Sequence, residues 1–280
     1  MLKRAEILLA VILIISACSV HAETERINRE FIMKEGKPAQ INLDVDAGEV
    51  IVNRGDSGNR VFLEVEYSGD DFSCDIDYDE SDNRIEISLD KDGWFGGDDC
   101  RAVIELSLPY EIEILLDTEL KAGSIEMELG GLNIREFSLE NTAGEVEVSF
   151  SEPNRSRMDL LEIDTSVGET ELLRLGNSRF KRAEINSDIG ELSLDFSGEP
   201  LAGAEAEIDL DVGETDIDLP GNTGIRIELA GGSGFLKEVS MDSAFYKKGD
   251  YYFNRQFEDE KNGFVIRLSH GIGELTLNQR

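Results

Sequence analysis

One short unit keeps returning along this chain: a small or branched residue, then Gly, usually Glu, then a strand of alternating apolar residues. It occurs at Ala47-Gly48-Glu49-Val50, Ala122-Gly123-Ser124-Ile125 and Ala143-Gly144-Glu145-Val146. It returns at Val167-Gly168-Glu169-Thr170, Ile189-Gly190-Glu191-Leu192, Val212-Gly213-Glu214-Thr215 and Ile272-Gly273-Glu274-Leu275. From Gly123 the glycines follow at spacings of 21, 24, 22 and 23, and a weaker copy stands at Ser233-Gly234-Phe235. A β-rich period of about 20–30 residues marks a stacked repeat, in which no unit buries its apolar face alone.

The alternation sets the faces. After Gly144 the apolar positions are Val146, Val148 and Phe150; after Gly190 they are Leu192, Leu194 and Phe196. A second run precedes each Gly, as in Phe137 and Leu139 or Leu161 and Ile163. Period-two strands with one buried face follow. The expected fold is therefore all-β: a single-chain β-solenoid, two short strands per rung of about 22 residues, with Gly at a tight corner and a looser polar loop such as 151–157 opposite it.

Both ends depart from the period. Residues 26–46 read as two strands split at Gly36-Lys37-Pro38, and 101–117 as two strands around Pro109. Between them lies an insert, 70–100, bounded by Cys74 and Cys100 and carrying a hairpin signal at Glu80–Asn83. Aromatics crowd into 245–257, so 235–280 is expected to cap the C-terminal end.

The first 22 residues read as a targeting segment, leaving 23–280 as one solenoid domain. Lys3 and Arg4 precede an apolar run, Leu8–Ile15. That run is short for a membrane span and suits a secretory signal. Ile15-Ser16-Ala17-Cys18 matches a bacterial lipobox, which predicts lipidation of Cys18; Val20-His21-Ala22 offers a competing site for simple cleavage and secretion. Under export, Cys74 and Cys100 form an even pair in an oxidising compartment, so a disulfide is expected between them.

Charge removes other classes. With 60 acidic against 27 basic residues the net charge is −33, which repels nucleic acid. Two His leave little for a zinc centre or a His-based triad, and His270 has no evident catalytic partners.

The repeated Ala-Gly-Glu-Val and Ile-Gly-Glu-Leu strands, the Leu-Pro of 104–109 and Asp218-Leu219-Pro220 carry a resemblance. The chain resembles the bacterial "putative adhesin" and toast-rack families, relatives of the C-terminal domain of cell-wall-active antibiotic response proteins. The similarity spans residues 30–280. It implies a β-solenoid outside the cytoplasm and no catalytic residues to carry over.

Candidate sites follow from the residues themselves. Glu145, Glu169, Glu191 and Glu214 share one rung position, with Glu126, Glu147, Glu171 and Asp216 beside them. Stacked in register, these like charges repel, so the row is either a solvated acidic face or a weak Ca²⁺ ladder. Asp75, Asp77, Asp79 and Glu86 mimic an EF-hand spacing, but Glu80 stands where that loop needs Gly. Trp94 and Phe95, in a glycine-rich loop beside Cys100, are candidate contacts for a partner or glycan. The expected function is a non-catalytic, extracytoplasmic, membrane-anchored module for adhesion, scaffolding or envelope interaction, needing no cofactor. Its expected partners are the lipid membrane and an envelope protein or polysaccharide. The alternative is a solenoid that binds or degrades polysaccharide.

Overall fold

The computed structural model describes residues 24–92, 101–230 and 237–280. Cys18, Trp94, Phe95 and Cys100, and the expectations attached to them, lie outside those residues. The first half of the chain forms β1 (Thr24–Ile32), β2 (Ala39–Val45), β3 (Gly48–Arg54), β4 (Arg60–Ser68), β5 (Phe72–Asp79), β6 (Arg84–Lys91), β7 (Ala102–Leu108), β8 (Ile114–Leu120) and β9 (Gly123–Glu128). Four long strands follow: β10 (Ile134–Ser149), β11 (Met158–Leu173), β12 (Phe180–Asp195) and β13 (Glu205–Leu219). The chain ends with β14 (Ile225–Ala230), β15 (Lys237–Met241), β16 (Tyr246–Lys248), β17 (Tyr251–Phe253) and β18 (Phe264–Gln279). Among the described residues no helix is long and apolar enough to cross a membrane.

In the long rungs the two expected strands are one. β11 pairs in parallel with β12 from Met158↔Phe180 to Leu172↔Leu194, straight through Gly168↔Gly190. The reason is visible at the corner. Gly168 has φ +148°, and a Cβ there would sit 1.8 Å from the Gly144 carbonyl oxygen of the rung beneath. Only glycine lets the backbones bend this closely while the ladder on both sides stays paired.

The corner also flips the side-chain phase. Leu161, Ile163 and Thr165 face inward before it, Thr170 and Leu172 after it, with Val167 and Glu169 exposed between. A change of one residue in phase moves a whole strand face, so the bend alone decides which apolar residues reach the core.

Rungs do not stack in chain order. β2 pairs with both β6 and β8, and β3 with both β7 and β9. The rung made by β2 and β3 thus lies between one made later, β6 with β7, and the β8–β9 rung. The interval 70–100 is consequently not all insert. β5 and β6 form the expected hairpin around residues 80–83, but β6 carries Ile85, Ile87 and Leu89 into the core as part of a rung. At the other end β18 lies between β13 and the pair β14 and β15. The cap expected over 235–280 is therefore smaller, because 264–279 keeps the Gly-Glu-Leu register and enters the stack. What remains outside is antiparallel: β17 on β14 and β16 on β17, with Phe253 packed on Tyr246 and Phe257. At the opposite end β5 lies on β6, β4 on β7 and β1 on β4.

Buried asparagines hold the loops opposite the glycine corner. Asn154 is fully buried; its Nδ2 donates to the Ile134 carbonyl at 2.7 Å, and its Oδ1 accepts from the Ile134 N–H at 2.9 Å. Asn254 accepts from the Ile225 N–H at 2.8 Å and donates to the Thr223 carbonyl at 2.7 Å. Asn83 does the same for both backbone groups of Lys34. Each satisfies backbone groups where the ladder stops, which a buried loop requires.

Candidate functional site

Two acidic faces follow from the register. On one, Glu145, Glu169, Glu191, Glu214 and Glu274 stand side by side on successive rungs. The structure extends the predicted row at one end by Glu238, which pairs with Glu274. Glu238 lacks the preceding glycine, so the repeat did not flag it. Ser124 interrupts the row before Glu49 at the other end. The five repeat glutamates are all exposed. Among the described residues no three His, Cys, Asp or Glu side chains are grouped so as to hold a metal ion.

The second face is an open groove of about 530 Å³ across β2, β6, β8, β10 and β11, with part of β5 at its margin. Nine carboxylates line it, among them Asp44, Asp77, Glu86, Asp117, Glu140 and Glu162. The β5 aspartates stand out in the sequence but the groove does not, because its walls come from six strands whose adjacency is tertiary. Glu162 is its perturbed member. Partial burial, then Asp164, Glu184 and Asp117, push its carboxyl above the usual range.

Around this groove the EF-hand spacing resolves into a strand and a turn. Asp77 pairs with Glu86 across the β5–β6 hairpin. Asp79 closes the turn, its Oδ1 accepting from the Ser81 hydroxyl at 2.6 Å and the Ser81 N–H at 2.8 Å. Those bonds hold its carboxyl below the usual range, led by the Ser81 hydroxyl. Glu128 is a third perturbed carboxylate. Burial opposes its charge, yet the hydroxyls of Ser149 and Ser151 and two backbone N–H groups prevail and lower it.

Cys74 is half-buried on β5 and opposite Leu89. It makes no disulfide within the described residues, and its expected partner Cys100 lies outside them. Burial foremost, with Asp75 next, raises its thiol to about 11, so as a free thiol it stays protonated at neutral pH. His270 is buried, its Nε2 3.1 Å from the Glu274 carbonyl oxygen, and it does not line the carboxylate groove.

The chain also matches a known domain. The sequence profile of the N-terminal domain of toast-rack, DUF2154, covers residues 18–172. The chain belongs to the toast-rack family. Solved structures of similar outline include a "putative cell adhesion protein" from Clostridium sporogenes, 17% identical with a TM-score of 0.46 over 91% of this chain and 100% of that one. Another is a "putative adhesin" from Bacteroides fragilis, 11% identical with a TM-score of 0.40 over 91% of this chain and 98% of the other. Comparison with curated proteins gives no match.

Proposed function

We propose that this toast-rack chain is a non-catalytic β-solenoid module of the cell envelope, held to a membrane by acylation of Cys18 and presenting rigid faces to an envelope partner. The observation that carries this reading is the in-register stack. Side chains at one rung position recur across the surface at strand spacing, about 4.8 Å, on backbones locked to one another. Such a surface suits an extended contact, since little order remains to be gained on binding. The lipobox at Cys18 supplies the anchor, and Trp94 and Phe95 remain candidate contacts for a glycan or partner. A Cys74–Cys100 bridge would tie down the loop between β6 and β7.

Membrane fractionation tests the reading. Wild type should sediment with membranes and Cys18→Ser should appear soluble or as an unprocessed precursor. A mature N-terminus at Glu23 in wild type would refute the anchor. Crosslinking in intact cells should join the chain to an envelope component.

One observation favours a second reading. A carboxyl pushed above its usual range in an open groove is a feature that glycoside cleavage uses in its general acid, and Glu162 has it. Release of reducing sugar from envelope polysaccharide, lost in Glu162→Gln, would establish it. The first reading expects none.

A further inference from the structure

The phase flip at the glycine corner leaves an apolar row on the outside. Val167, Ile189, Val212 and Ile272 occupy consecutive rungs in strict register, and are 51%, 51%, 40% and 50% exposed. Large aliphatic side chains at one position on four neighbouring rungs form a continuous ridge rather than scattered surface residues. Carboxylates border it on both sides. Glu169, Glu191, Glu214 and Glu274 each follow two residues later, and Asp188 and Asp211 immediately precede Ile189 and Val212.

From this we infer that the ridge docks a cationic amphipathic α-helix of a partner protein. The inference rests on reading the chain as a presenting module and names the partner's chemistry. Charge excludes a second copy, since ridge-to-ridge contact would press carboxylate rows together in a chain of net charge −33. Anionic lipid is excluded on the same ground. Spacing selects the helix. From Val167 to Ile272 the ridge advances three rungs, about 14 Å at about 4.8 Å per step. Three helical turns advance about 16 Å, so apolar residues at i, i+3/i+4, i+7 and i+10/i+11 keep pace with it. An extended strand repeats every two residues and would advance about 20 Å over three repeats, losing the match within two rungs. Lysines or arginines flanking the apolar stripe then meet the glutamates on one side and the aspartates on the other.

The test uses the whole protein and a labelled synthetic peptide of about 18 residues, Leu and Lys patterned for an amphipathic helix, against a scrambled peptide of identical composition. Fluorescence anisotropy should show the patterned peptide binding more tightly, with helicity appearing in its circular dichroism as it binds. Ile189→Ser with Val212→Ser should weaken binding by about tenfold or more, an effect of lost apolar contact that persists in high salt. Glu169→Gln with Glu191→Gln should instead flatten the salt dependence. Both changes are on exposed positions, and unaltered melting is the control; Val167→Thr, nearly isosteric, is the fallback.

Equal binding of patterned and scrambled peptides would overturn the inference, as would ridge variants that bind like wild type. So would a concentration-dependent dimer that Ile189→Ser disperses, because the ridge would then serve self-association. If ridge variants bind the peptide as tightly as wild type and stay membrane-bound and crosslinked, the ridge assignment falls and the envelope role stands.

Discussion

Replacing Gly190 by Ala adds one methyl group at a corner where the backbones of two rungs meet. That Cβ would lie 1.8 Å from the Gly168 carbonyl oxygen and 2.9 Å from its carbonyl carbon, inside the 3.0 Å that real Cβ atoms respect. Both atoms are backbone, so no rotamer relieves the overlap. Position 190 also has φ +149°, which costs an L-residue about 1–3 kcal/mol. Separating the rungs to make room weakens several ladder hydrogen bonds, each contributing about 0.5–1.5 kcal/mol. The sum is about 4 kcal/mol or more, the range reserved for severe changes. For a chain of this size it corresponds to a melting temperature lower by roughly 10 °C. Gly249→Ala is the matched control. Its φ is +66° but nothing lies within 4 Å of the new Cβ, so only the backbone term remains, about 1 kcal/mol. Urea unfolding followed by circular dichroism compares the two. Equal losses would show that close approach is not why glycine stands at the corner.

Other changes test the loops and the charges. Asn154→Ala strips partners from the buried N–H and C=O of Ile134 and should cost about 2–4 kcal/mol by urea unfolding. Glu128 and Glu162 should respond oppositely. Because the fold lowers the Glu128 carboxyl, Glu128→Gln loses stability at neutral pH, and the loss fades as acid protonates the wild-type group. Because the fold raises Glu162, Glu162→Gln gains stability at neutral pH and matches wild type in acid, where both side chains are uncharged. Melts over a pH series read both. Calcium and NaCl at matched ionic strength should raise the melting temperature equally, as screening of a solvated acidic face predicts; an excess for calcium that Glu169→Gln with Glu191→Gln removes would restore a cation ladder. Reduction of exported protein should increase hydrogen exchange near residues 72–92 and leave β10 to β13 protected, and two free thiols in native protein would refute the bridge.

Much of the architecture is written locally. A Gly every two dozen residues, with alternation on both sides, dictates parallel rungs, and local residue patterns suffice for the β1–β2 split at Gly36, the hairpin at residues 80–83 and the row of glutamates. The buried role of Asn154 was not legible, because a polar residue in a polar-looking loop carries no sign of facing inward.

Tertiary structure alone decided the order of the rungs. Parallel in-register pairing is nearly degenerate among units with the same pattern, so nothing local says that β2 and β3 precede β8 and β9 in space but follow β6 and β7, or that β18 fills the place beside β13. The acidic groove depends on that order. The exposed ridge depends on the corner. Continued alternation from Leu161 through Ile163 and Thr165 would carry Val167 inward, and the corner over residues 166–168, where both neighbouring ladders skip residue 166, turns it out to solvent.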